Sequence, residues 1–290
     1  MKRYEFIDKH RGEFPVQRMC EVLSVSASGY YAWRSRPVST RAQENQRLTA
    51  EITAVYEASR KTYGSPRIYQ ELAARGRSVS QNRVARLMRT GNIAVKRKKK
   101  RKITTDSRHD YPIAPNILNR NFTAERPNQK WVGDITYIPT TEGWLYLATV
   151  MDLFSRKIVG WAMEPTLESG LVEKAFLMAA QNRKPPKGLL HHSDRGSQYA
   201  GDLYRQLLAD YNSIVSMSRT GNCYDNAAME SFFSTLKCDQ VHAQNYLTRR
   251  EAKTDIFGYI ESFYNPIRRH SSIDYLSPVE FERRYYNNFA

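Results

Sequence analysis

The chain has 290 residues, 41% of them hydrophobic and 12% aromatic, and 45 Lys+Arg against 29 Asp+Glu give a net charge of +16. That length suits about two domains with a sizeable buried core. The lack of any run of 18 or more apolar residues excludes a membrane-spanning helix, and Met1 to Phe6 has no signal-peptide character. Three scattered cysteines, Cys20, Cys223 and Cys238, exclude a disulfide framework. The charge is segregated: residues 1–120 hold 26 Lys+Arg against 10 Asp+Glu, and residues 121–290 hold 19 against 19. Solubility alone does not require such asymmetry, so a polyanion, most simply nucleic acid, is the expected partner of the first part.

Along the chain, residues 12–36 predict two short helices around a turn, with N-cap residues among Ser24 to Ser28 and Pro37 as the stop. Residues 41–59 predict a longer amphipathic helix with Leu48, Ile52, Val55 and Tyr56 on one face. A helix–turn–helix follows: Ser65-Pro66 starts one helix, which stops near Gly76, and Ser80 caps the next, Gln81 to Arg89, closed by Gly91. Val84, Leu87 and Met88 face its core, which turns Gln81, Asn82, Arg83, Arg86 and Arg89 outward. Amide and guanidinium groups at the front of a second helix suit base edges and phosphates in a major groove; a solvated basic face on a small helical bundle would read the same way. Lys96 to Lys102 is seven consecutive basic residues, including Lys98, Lys99 and Lys100, and reads as a linker along a phosphate backbone. Irregular, proline-punctuated chain continues to residue 128.

From residue 130 the pattern changes. Residues 131–138, 145–151 and 158–163 predict three strands joined by short turns, hence antiparallel hairpins. A helix over 168–182, a strand over 188–192, a helix over 200–210, a strand over 214–218 and a helix over 225–238 follow. Three antiparallel strands and then alternating helices and strands make a mixed α/β sheet, in which the helical crossover lets the fourth strand lie parallel to the first.

Three carboxylates stand out. Asp134 interrupts an apolar strand, where Asp is disfavoured. Asp194 stands just past a strand's C-terminal end, where open α/β sheets place their sites. Glu230 lies on a helix whose stripe of Met229, Phe232, Phe233 and Leu236 sets Asn226, Glu230 and Lys237 along a neighbouring edge. Converging carboxylates must share cations, and hard oxygen donors suit two Mg²⁺ ions, with Mn²⁺ as a substitute. A structural role for Asp134 stays open on this reading. Zinc is excluded, because Cys223 and Cys238 on one helix would lie on the order of 20 Å apart. His191 and His192 end a strand and are expected to pack or hydrogen-bond.

Trp131 to Ile138, His192 to Tyr199 and Gly221 to Phe233 resemble the catalytic half of the insertion-sequence-three family of bacterial transposases. Asp194 and Glu230 have 35 residues between them, the interval of the DD(35)E group shared with retroviral integrases. The segments Phe263 to Ser272, Leu276 to Pro278 and Tyr63 to Ile68 are also similar to the family, although Pro266 and Asp239 depart from its usual residues. The resemblance implies a ribonuclease-H-like α/β catalytic domain over 125–240 with Asp134, Asp194 and Glu230 as catalytic, metal-holding residues. It implies helical DNA-binding segments before that domain (1–60 and 61–95), a basic linker (96–124) and a helical tail (241–290). It further implies Mg²⁺-dependent cutting at insertion-sequence ends and joining of the 3′-hydroxyl, with Lys237 near terminal DNA. Asn226, Arg195, Arg268 and Arg269 are expected to touch the same double-stranded DNA. A homodimer or larger assembly on DNA, a possible fusion or pairing with an upstream reading-frame product, and residence at the bacterial nucleoid in the cytoplasm complete the expectation.

Overall fold

The structure is a computed structural model that describes residues 2–95, 111–220 and 222–288. The basic run with Lys98, Lys99 and Lys100 lies outside them. Helix α1 (Lys2–His10), not anticipated from the sequence, packs with α2 (Val16–Val22) and α3 (Ala27–Ser35) around Ile7, Met19, Cys20 and Tyr30. Ser26 begins α3 by accepting a hydrogen bond from Gly29 N, as its place in the turn requires.

Helices α4 (Thr40–Ala58), α5 (Ser65–Ala74) and α6 (Gln81–Thr90) form the second helical unit, with Leu48, Ile52 and Val55 packed against Val84, Leu87 and Met88. Ser80 caps α6 through Arg83 N. The cap of α5 is Gly64 rather than Ser65, which shifts Pro66 one place inward but keeps it in the first turn, where its missing N–H costs nothing.

The sheet comprises β1 (Lys130–Thr140), β2 (Gly143–Asp152), β3 (Ile158–Glu164), β4 (Leu190–Ser193) and β5 (Ile214–Met217), in the order β3-β2-β1-β4-β5. The first three are antiparallel and β4 runs parallel to β1, as the link lengths predict, and β5 runs parallel to β4. Alternation along β1 and β2 sends Trp131 and Val150 to one face, under α7 (Ser169–Arg183), and Val132 and Leu147 to the other. That other face is covered by α10 (Ala227–Asp239) and α11 (Arg249–Tyr259). The helix expected over 200–210 is broken at Gly201 into α8 (Ser197–Ala200) and α9 (Asp202–Asp210).

Helix α7 lies so close to β3 that a Cβ on Gly160 would collide with Ala175 O and reach 2.7 Å from Ala179 N. Gly160→Ala is therefore expected to lower the folding free energy by about 3 kcal/mol, the upper range for overpacking, read as an earlier midpoint in urea.

The C-terminal segment is a brace rather than an appended tail. Ile68 and Leu72 of α5 share a core with Tyr259, Ile260 and Phe263. The Tyr63 hydroxyl donates to Ile267 O at 3.2 Å and accepts from Arg269 N at 2.8 Å, and Arg67 Nε donates to Arg269 O at 2.9 Å. At the far end, α12 (Pro278–Asn287) buries Glu282, which accepts from Ser155 Oγ (2.8 Å) and Arg183 (2.7 Å) and so pins α12 to α7 and the β2–β3 turn. Among the described residues no helix is long and apolar enough to cross a membrane.

Candidate active site

Asp134 sits in mid-β1, opposite Thr149 of β2. The parallel pairing sets Val132 against His192, so continuing the register by two residues brings Asp134 level with Asp194 on the same face. The two are partly exposed, and both fields reach the same rings: the Tyr137 and Tyr199 hydroxyls are pushed up chiefly by burial and further by Asp134 and Asp194. Asp134 Oδ1 accepts from Ile135 N (2.7 Å) and Asp194 Oδ1 from Gly196 N (2.9 Å), which fixes one oxygen of each.

Glu230 lies in the first turn of α10 and is partly exposed. The helix start is tied to the residue before Asp134, since Asn226 Nδ2 donates to Gly133 O at 3.3 Å. Glu230 follows Asn226 by one helical turn on that edge, and Lys237 extends the edge a further two turns, half-buried. Among the described residues no three His, Cys, Asp or Glu side chains close into a cage around an ion. The donor set is therefore a level pair of aspartates with a glutamate on the adjoining helix edge. Its hard, partly solvated oxygens fit a cation that keeps waters, such as Mg²⁺. Beside them Asn226 Oδ1 is buried with no partner among the described residues.

The loop that delivers α10 is held by a residue the sequence reading passed over. Asp225 is 0% exposed and accepts from Arg219 N and Nη2, Arg120 Nε and Asn116 Nδ2, all at 2.8–2.9 Å. The Arg219 guanidinium foremost, with its backbone N–H and Arg120, holds this carboxyl far below the usual carboxylate range. An Asp just before a helix reads as a cap, and Arg120 is 105 residues away in sequence, so nothing local signalled it. His192 shares hydrogen bonds with Ser216 Oγ through Nδ1 (2.8 Å) and with Ser218 Oγ through Nε2 (3.2 Å), and burial pushes it down to about 4. His191 meets the Tyr204 hydroxyl at 2.8 Å and burial pushes it down to about 3. Both histidines are neutral structural groups of β4, one on each face of the strand.

The expected DNA contacts divide. Gln81, Asn82, Arg86 and Arg89 are exposed on α6, but Arg83 turns back to Asn45 (2.9 Å) and Glu44 (2.9 Å) of α4. Asn226, 5% exposed, is a buried tether rather than a surface contact. Arg195 reaches Ser218 O and Thr220 Oγ1 and braces the loop after β5. Arg268, 4% exposed, pairs with buried Asp239 at 2.8 Å, and Arg269 pairs with Glu71 of α5 at 2.6 Å. The sequence reading had all of these facing DNA. Asn226 and Arg268 are buried and Arg269 is half-buried, each turned to a partner inside the fold.

The chain matches the family described as "Integrase core domain" over residues 124–223, a second family of the same description over 230–288, and an "HTH-like domain" over 43–101. An "Insertion element IS600 uncharacterized 31 kDa protein" of Shigella sonnei is 46% identical, covering 94% of this chain and 100% of that one. "Transposase InsF for insertion sequence IS3A" of Escherichia coli is 42% identical, covering 97% of this chain and 99% of that one. Among solved structures, a simian T-cell lymphotropic virus intasome in complex with a PP2A regulatory subunit superposes with a TM-score of 0.47 at 12% identity, over 80% of this chain and 74% of that chain. A mixed sheet in the order β3-β2-β1-β4-β5, carboxylates at its open end, a helix–turn–helix unit before it and relatives that align from end to end agree: the chain belongs to the IS3 family of insertion-sequence transposases and carries that family's integrase core.

Proposed function

We propose that this transposase cuts DNA at the ends of its insertion element and joins the freed 3′-hydroxyl to another strand, with Asp134, Asp194 and Glu230 as its catalytic carboxylates. The observation that carries the reading is the register that sets Asp134 level with Asp194, beside the helix edge of Glu230. The three carboxylates would hold two Mg²⁺ or Mn²⁺ ions, which when bound supply Lewis acidity at both ends of an in-line phosphoryl displacement. The chain's own part is positional. Backbone N–H groups fix one oxygen of each aspartate, Asn226 fixes the entry of α10, and Asp225 fixes the loop before it. Lys237 on the same edge is suited to a terminal phosphate, and Gln81, Asn82, Arg86 and Arg89 to a groove. Both ends must be held at once, so the working form is a dimer or larger on double-stranded DNA, alone or joined to an upstream reading-frame product, at the nucleoid.

Incubating the purified chain with DNA carrying the element's ends should give cut and joined products with Mg²⁺ and none in EDTA, with recovery on adding Mg²⁺ back. Products persisting in EDTA would sink the two-ion reading, and cutting without joining would make the protein a nuclease of the same fold.

A further inference from the structure

A cavity of about 330 Å³ opens where α5, the β2–β3 turn, α10 and the segment 264–272 meet, within the roughly 300–1,000 Å³ range of ligand sites. Three guanidinium groups line it: Arg67, Arg156 and Arg268. Arg268 is already answered by Asp239. Arg67 gives only Nε, to Arg269 O. Among the described residues its Nη atoms and the whole Arg156 guanidinium have no hydrogen-bond acceptor. All three converge on one ring: burial, then Arg268, Arg67 and Arg156, push His270 well below its ordinary value. His270 Nε2 is itself buried with no partner among the described residues.

Two further features point the same way. Arg156 is held at φ 63°, the left-handed region, which a non-glycine residue occupies at some cost and which recurs at binding sites. Ala227 and Ala228, in the first turn of α10, also line the cavity, so the positive end of a 13-residue helix borders it. Two half-buried guanidinium groups with no acceptor, beside a third and a helix N-terminus, make a place that favours an anion.

We propose that this cavity is a phosphate site in which Arg67 and Arg156 grip one backbone phosphodiester of the bound DNA. Arg268 closes the back wall and is not a ligand. The mouth is formed by exposed Ser231, Ser271 and Ser272, and Ser231 directly follows Glu230. The site therefore lies between the helix–turn–helix unit and the carboxylate helix, where a strand running from one to the other must pass. A gripped phosphate would tie α5 to α10. The anion chemistry stands on the cavity alone; its assignment to DNA rests on the strand-transfer reading above.

Arg156→Asn removes the charge with a residue that tolerates φ > 0. In the full chain it is expected to weaken binding to element-end DNA about tenfold and to make log affinity against log salt shallower by about 0.9, the loss of one phosphate contact. A methylphosphonate scan of the same DNA should find one position that reproduces the loss in the unaltered chain and adds nothing in Arg156→Asn. Ser231→Asp, which sets a carboxylate at the mouth, should raise the Tm and weaken DNA binding together. An unchanged salt slope in Arg156→Asn overturns the site. Protection of the unaltered chain by inorganic phosphate, with the DNA slope unchanged, makes it a free-anion site and overturns the DNA assignment. Should Arg156→Asn melt early, Arg67→Gln in the same assays decides. If both chains lack Mg²⁺-dependent joining while the slope still shifts, the strand-transfer reading fails and the phosphate site stands.

Discussion

Replacing Asp134 with Asn is expected to cut Mg²⁺-dependent cleavage and joining by about 10³-fold or more, a barrier increase of about 4 kcal/mol. DNA affinity and Tm should stay at the values of the unaltered chain. The substitution keeps the shape of the side chain and an oxygen able to accept from Ile135 N, so β1 has no reason to shift. It removes the negative charge with which Asp134 would help hold a divalent ion, and Asp134's share of the field at Tyr137 and Tyr199. Gel mapping of cut and joined strands, beside a binding isotherm on the same DNA, separates chemistry from binding. A variant that binds and joins normally would remove Asp134 from the catalytic set. A variant that joins poorly because it binds poorly would make the residue structural.

Arg268→Ala should do the reverse, costing about 3–5 kcal/mol of folding stability without changing the salt dependence of DNA binding measured below its melting temperature. The guanidinium is enclosed with Asp239, and Asp239 also accepts from the Tyr259 hydroxyl at 2.9 Å. Losing the cation leaves a buried carboxylate facing buried phenols, the situation in which breaking an ion pair costs most. Chemical denaturation measures the loss. A normal midpoint together with a shallower salt slope would restore Arg268 to the DNA surface that the Arg-Arg-His stretch first suggested.

What the sequence revealed followed periodicity. Alternation along 131–138 and 145–151, and the i, i+3, i+4, i+7 stripe of Met229, Phe232, Phe233 and Leu236, are local patterns, and each element formed within a few residues of its expected bounds. The placement of Asp134, Asp194 and Glu230 on strand, strand end and helix edge follows from those elements. What stayed hidden depends on distant partners. Asp225 with Arg120, Glu282 with Arg183, and Arg269 with Glu71 are separated by 105, 99 and 198 residues, and no spacing rule pairs them. The same blindness hid the folded partners of Arg83, Arg268 and Arg269, since a basic residue bound for an acid of the fold looks in sequence like one bound for phosphate. Helix α1 was missed because Lys2 to His10 contributes a single buried side chain, Ile7, too little apolar pattern to declare a helix.

The seam between α5 and the C-terminal segment also bears on how the protein is made. Tyr63 and Arg67 wait for hydrogen-bond partners 202–206 residues further on. At ribosomal rates of about 5–20 residues per second that wait lasts roughly 10–40 s, during which Ile68 and Leu72 lack the aromatic wall that later covers them. A transcript broken before codon 259 would yield a helix–turn–helix unit with an open apolar flank, a natural target for chaperones and proteases. Residues 259–269 thus complete a helical unit whose first half, around Tyr63 to Leu72, was made about 200 residues earlier.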